Sequence, residues 1–120
     1  MKTNKELAQE YKLIKPQMGV FQIKNEKNGK IFIGSSTDLR AIWNRFKVQL
    51  NFGSHRDKAM QTDWVEFGED NFTFTILAEI EERENEKVDY AKEVKTLEDM
   101  FIEELQPFDE RGYHKKKVIT

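Results

Sequence analysis

Cysteine is absent from the chain, so neither a disulfide nor a thiolate-bound metal can brace it, and it need not meet an oxidising compartment. The cytoplasm is the expected location. Proline occurs twice and glycine six times, which leaves few places where a regular element must break. No apolar run nears the roughly 18 residues of a membrane span, and the opening MKTNKELAQEYKL is charged throughout, so neither an anchor nor a signal peptide is expected. No repeat or low-complexity tract occurs. What the chain does carry is aromatic: nine Phe, two Trp and three Tyr in 120 residues, beside 35% charged residues. That composition suits one domain over residues 1–120, with a single core beneath a very polar surface.

The net charge of -2 is unevenly spread. Residues 1–62 carry twelve Lys/Arg against five Asp/Glu, and residues 63–110 carry four against seventeen. The last ten residues return four cations, Arg111 and residues 115–117. This asymmetry suits one face that attracts a polyanion and another that repels it, or simply a solvated charged surface.

Thr3 and Glu6 form a capping box that opens a lead-in helix within residues 1–16, ending before Pro16 because the residue preceding proline avoids helical geometry. MGVFQIKNEKNGKIFIG then predicts a β-hairpin, since β-branched and aromatic residues flank Asn28-Gly29, a pair that favours a two-residue type I′ turn. With those two as the loop, positions summing to 57 lie opposite each other. Phe21, Ile23, Phe32 and Gly34 share one face, and Val20, Ile31 and Ile33 the other. Both faces are apolar, so helices must cover both.

Asp38 caps a helix running to about Phe52, with Gly53 as its stop and Leu39, Ile42, Trp43, Phe46 and Leu50 on one stripe. A further helix over 57–67 ends at Gly68, and NFTFTILAEI follows as a strand with Phe72, Phe74 and Ile76 on one side. The acidic stretch 79–93 leads to a last helix that ends at Leu105, before Gln106-Pro107. DERGYHKKKVIT reads as an irregular tail, basic over 115–120. In the last helix Val94, Leu97, Phe101, Ile102 and Leu105 form an apolar stripe into which Glu98 falls. A carboxylate there reaches solvent at the helix edge, pairs with Lys or Arg, or binds a metal.

GVF at 19–21, FIGSS at 32–36, GSH at 53–55, QTDWVEFGEDNFTFTIL at 61–77, LEDMFIEEL at 97–105 and GYH at 112–114 together resemble the GIY-YIG nuclease superfamily in order and spacing. The resemblance covers residues 18–114. It implies an α/β (α+β) fold, a three-stranded antiparallel sheet flanked by helices, here with the extra N-terminal helix. It also implies DNA phosphodiester cleavage with one divalent metal.

Position by position, the same resemblance places the two tyrosines of the family name at Phe21 and Phe32, which keep the ring and lack the hydroxyl that positions or deprotonates the attacking water. The arginine expected to hold the scissile phosphate matches Ile42, and a histidine one turn later in many members matches Phe46. The loop histidine is kept as His55. The asparagine that follows Gly-Tyr is His114, and the metal-binding glutamate is Glu98, which implies magnesium or manganese there. Arg45, one helical turn beyond Ile42, is a candidate substitute for the missing guanidinium, or else a surface cation. His55 and His114 are equally open to a plain hydrogen-bonded role. Lys24, Lys30, Arg40, Arg45, Lys47, Arg56 and Lys58 are the candidate phosphate contacts.

Three readings follow. The first is a nucleic-acid-binding domain of GIY-YIG ancestry, for DNA more than RNA, with cleavage weakened or lost. The second is a magnesium- or manganese-dependent endonuclease with a rearranged site. The third is a protein-binding module whose contact surface is the acidic 63–110 region.

Overall fold

The structure, a computed structural model, describes residues 16–83 and 87–115. The lead-in helix expected around Thr3 and Glu6, and the lysines after Lys115, lie outside the described residues. Three strands, β1 (Met18–Asn25), β2 (Ile31–Ser36) and β3 (Phe72–Ile80), form an antiparallel sheet in the order β2-β1-β3.

The hairpin between β1 and β2 has a four-residue loop, 26–29, in place of the expected two. The Asn25 amide donates to the Lys30 carbonyl at 2.9 Å and the Gly29 amide to the Asn25 carbonyl at 2.8 Å. The left-handed residue is Gly29, at φ 79, and it ends the loop. Two side chains fix this choice, because Asn25 Oδ1 accepts from the Lys27 amide and Asn28 Oδ1 from the Lys30 amide, both at 2.9 Å. Phe21 therefore faces Gly34, and Ile23 faces Phe32, so paired positions sum to 55 and not 57. A slip of two leaves each side chain on its expected face, whereas a slip of one would have inverted them all.

On the other side of β1 a bulge lies between Val20 and Phe21, which pair with Ala78 and Ile76 and leave Leu77 as the extra residue. Beyond it Phe74 and Phe72 stand opposite Ile23 and Asn25, on the face that carries Phe21.

Helices α1 (Leu39–Asn51) and α2 (Lys58–Phe67) start where the sequence predicts. The Asp38 carboxylate accepts from the Ala41 amide at 3.1 Å, and the Asp57 carboxylate from the Met60 amide at 3.0 Å. Helix α3 (Tyr90–Leu105) is capped in the same way by Asp89. Phe21, Ile23, Leu39, Phe46, Leu50, Met60, Trp64, Phe72 and Tyr113 form one buried cluster between the sheet and α1 and α2. Helix α3 packs against β1 and β2, and Val20, Ile33 and Val94 are buried outside that cluster. The sheet is thus covered on both faces.

The tail is not irregular as far as His114. After a 3-10 turn at Asp109–Arg111, Gly112 pairs in parallel with Ile31, and the Tyr113 amide donates to the Ile31 carbonyl at 3.0 Å. The outer edge of β2 supplies this order, since its free amides and carbonyls need partners.

Candidate functional site

The rings expected at the site do converge. Phe21 lies 5.7 Å from Phe46 and 6.3 Å from Phe32 between ring centres, and Phe32 lies 5.5 Å from Phe46. His55 meets the Phe46 ring edge-on at 4.6 Å, and His114 stacks on Phe32 at 4.9 Å. Phe21, Phe46 and His55 are buried, and Phe32 and Ile42 are partly buried against them. Sheet and helix account for this gathering: β1 and β2 present Phe21 and Phe32 on one face, α1 presents Ile42 and Phe46 one turn apart, and the α1–α2 loop and the tail deliver the two imidazoles. Tyr113 anchors that tail. Its hydroxyl donates to Asp63 Oδ2 at 2.8 Å and accepts from Asn25 Nδ2 at 3.2 Å, and Asn28 Nδ2 reaches the same Asp63 oxygen at 3.1 Å.

Both imidazoles accept hydrogen bonds from backbone amides and so are held neutral. His55 Nδ1 accepts from the Asp57 amide at 3.1 Å, which puts its proton on Nε2, and His114 Nε2 accepts from the Ile33 amide at 2.8 Å, which puts its proton on Nδ1. Burial lowers the pKa of each from 6.5, against the opposing pull of Asp57 on His55 and of Glu98 and Asp57 on His114. A histidine whose folded value is depressed contributes stability that is complete above the unfolded value and is lost as pH falls through the window down to the folded one. Thermal melting at pH 7.5, 6.5 and 5.5 is therefore expected to show a falling Tm below about pH 6.5, with a smaller fall in His114→Asn. A flat Tm over that range would show that the imidazoles are not held neutral.

Glu98 sits on α3 with 12% of its side chain exposed. Ser35 Oγ donates to its Oε1 at 3.0 Å, and Lys95 Nζ contacts Oε2 and lies 3.3 Å from Asp99 Oδ1. Of the three sequence alternatives for Glu98, the structure shows pairing with lysine. Magnesium and manganese accept oxygen donors and retain several waters, so one carboxylate with substrate phosphate oxygens is an adequate donor set. Among the described residues no group of three or more His, Asp or Glu could hold a metal. Glu98 therefore fits as a lone anchor, once Lys95 gives way.

The candidate phosphate contacts are spread over several elements. Arg40 and Arg45 are exposed on α1, and Arg56 and Lys58 are exposed around the start of α2. Lys47 lies over the Trp43 ring at 5.3 Å and Lys30 over the Tyr113 ring at 5.8 Å. Lys24 alternates with Ile23 along β1, so it belongs to the face that α3 covers. Sequence reasoning missed Ser35, Lys95 and the Tyr113–Asp63–Asn25 group. Only Lys95 carried a local signal, three residues before Glu98 on one helical face.

A family model described as the GIY-YIG catalytic domain matches residues 17–113. The chain is 36% identical over 62 residues to Intron-associated endonuclease 1 of Enterobacteria phage T4, a match that covers 52% of this chain and 25% of that protein. It thus spans about a quarter of the length of that relative. A structure of the catalytic domain of homing endonuclease I-TevI matches with a TM-score of 0.65 at 29% identity, over 80% of this chain and 95% of that one. A mutant of the same catalytic domain matches with a TM-score of 0.63 at 28% identity, over 75% and 84%. Both matches extend to the sheet of three strands and its flanking helices described above. No helix among the described residues is long and apolar enough to cross a membrane. From strand order to motif spacing, the chain belongs to the GIY-YIG family, as a domain homologous to the catalytic domain of a homing endonuclease.

Proposed function

We propose that this domain binds nucleic acid, DNA in preference to RNA, with phosphodiester cleavage weakened or lost. The observation that carries the proposal is the packed cluster of Phe21, Phe32, Ile42 and Phe46, at positions where the family resemblance implies hydroxyl, guanidinium and imidazole groups. An apolar side chain there cannot donate to charge that develops on a phosphate, and each missing donor typically lowers the rate by about 10² to 10³. Magnesium or manganese on Glu98 supplies Lewis-acid polarisation of the phosphate when bound. His55 keeps a proton on Nε2 as a donor, Arg45 offers a cation one turn from Ile42, and the exposed Arg40, Arg56 and Lys58 are the candidate contacts for the backbone. Homology to an intron-associated endonuclease supports DNA as the polyanion.

A combined gel-shift and plasmid-nicking assay, with and without Mn²⁺, tests this reading on the wild type and Glu98→Ala. Affinity is expected to fall by about 10²-fold between 50 and 200 mM salt, the loss for roughly four neutralised phosphates. Nicking by the wild type is expected to match that of Glu98→Ala. The retained Glu98 and His55 favour the rearranged endonuclease as the second reading, and vigorous nicking abolished by Glu98→Ala would establish it instead. Absence of binding at low salt would favour a protein-binding module on the acidic 63–110 region.

A further inference from the structure

Glu98 has a cation beside it from within its own helix. Its carboxylate is largely enclosed, and an enclosed charge requires a partner. Ser35 takes one oxygen and Lys95 the other. Lys95 also reaches Asp99 at 3.3 Å, so one ammonium is shared by two carboxylates on adjacent positions of α3. The arrangement follows from helical spacing, since Lys95 precedes Glu98 by three residues and Asp99 by four. An ammonium tethered at that distance is present at a constant, high local concentration. A divalent ion arriving from solution must expel it and also lose part of its own hydration.

We propose that Lys95 is an internal competitor for the divalent-cation position on Glu98, so that the free domain binds Mg²⁺ or Mn²⁺ weakly until the ammonium is drawn off. Lys95 is suited to leave: 61% of its side chain is exposed, against 12% for Glu98. A phosphate of bound nucleic acid is an alternative partner for a lysine ammonium, which would couple occupation of the metal position to occupation of the substrate surface. That coupling rests on the nucleic-acid reading above; the competition itself rests only on Glu98 as the metal anchor.

Titration of the nucleic-acid-free protein with Mn²⁺, followed by the electron paramagnetic resonance signal of the free ion, measures the competition without reference to cleavage. Lys95→Met is expected to bind Mn²⁺ at least tenfold more tightly than the wild type, and Lys95→Met/Glu98→Gln is expected to lose that gain. Lys92→Met removes the same charge one turn earlier on α3 and is expected to leave affinity within about twofold of the wild type. Equal affinity in the wild type and Lys95→Met, an equal gain in Lys92→Met, or a gain that persists without Glu98 would each overturn the proposal. Gel shifts in EDTA report nucleic-acid binding separately, so failure of that reading is distinguishable from failure of the competition.

Discussion

Restoring Tyr at 21 and 32, Arg at 42 and His at 46 together is expected to raise metal-dependent plasmid nicking by at least about 10²-fold over the wild type. The gain should vanish when Glu98→Ala is added. The structure indicates how each polar group would be received. The tip of the Phe21 ring, Cζ, lies against Gly34, so a hydroxyl on Cζ would emerge beside the β2 backbone, one residue from Ser35. Phe32 and Ile42 are only partly buried, so a phenol or a guanidinium there can reach outward. Phe46 is 8% exposed and touches the His55 ring, and an imidazole in its place needs a new hydrogen-bond partner. Groups that act on one phosphate act as a unit, so each single substitution is expected to yield much less than its share of the whole. A time course of supercoiled-plasmid loss in Mn²⁺ provides the measurement. An unchanged rate in the folded quadruple variant would show that something other than these four side chains limits cleavage.

The second large effect concerns stability. Gly19→Ala is expected to destabilise the fold by about 3 kcal/mol, roughly 10 °C in Tm, through overpacking against an unyielding neighbour. A Cβ on Gly19 would overlap the Ala78 carbonyl, beside the bulge at Leu77. The obstacle is backbone, so no rotamer change can relieve it. Gly29→Ala provides the contrast: its φ of 79 disfavours alanine, but an added Cβ there meets nothing within 4 Å. About 1 kcal/mol is expected at that exposed loop. Thermal or urea melts of the two variants separate the effects, and a Gly19→Ala protein that melts like the wild type would contradict the β1–β3 pairing.

Local chemistry makes most of the architecture legible in the sequence. Asp38 and Asp57 each present a carboxylate to the third amide beyond them, and Gly53 and Gly68 adopt positive φ just past their helices, so both helices begin and end where their own residues dictate. The hairpin register is harder to read. Asn28-Gly29 does mark the turn, but the loop is closed by Asn25, whose side chain is fully buried and bonded to Tyr113, 88 residues away. No local pattern carries that information. The tail escapes a local reading for the same reason, because the order of Gly112, Tyr113 and His114 comes from β2 and Asp63 rather than from their own propensities. For the site, helical periodicity places Glu98 in an apolar stripe, and the structure finds it mostly enclosed. Its lysine partner is equally visible at three residues' separation, yet spacing alone does not say whether two such side chains meet.

A sheet of three strands has two rims, and in this protein they differ. Along β2 the returning segment at 112–114 consumes the Ile31 carbonyl, and the His114 imidazole consumes the Ile33 amide. A rim already occupied by its own chain offers no template on which a strand from a second molecule can polymerise. Among the described residues the rim left open to cross-molecule β-addition is the opposite one, β3, where exposed Thr73, Thr75 and Ile76 favour strand geometry and the charged Glu79 opposes it.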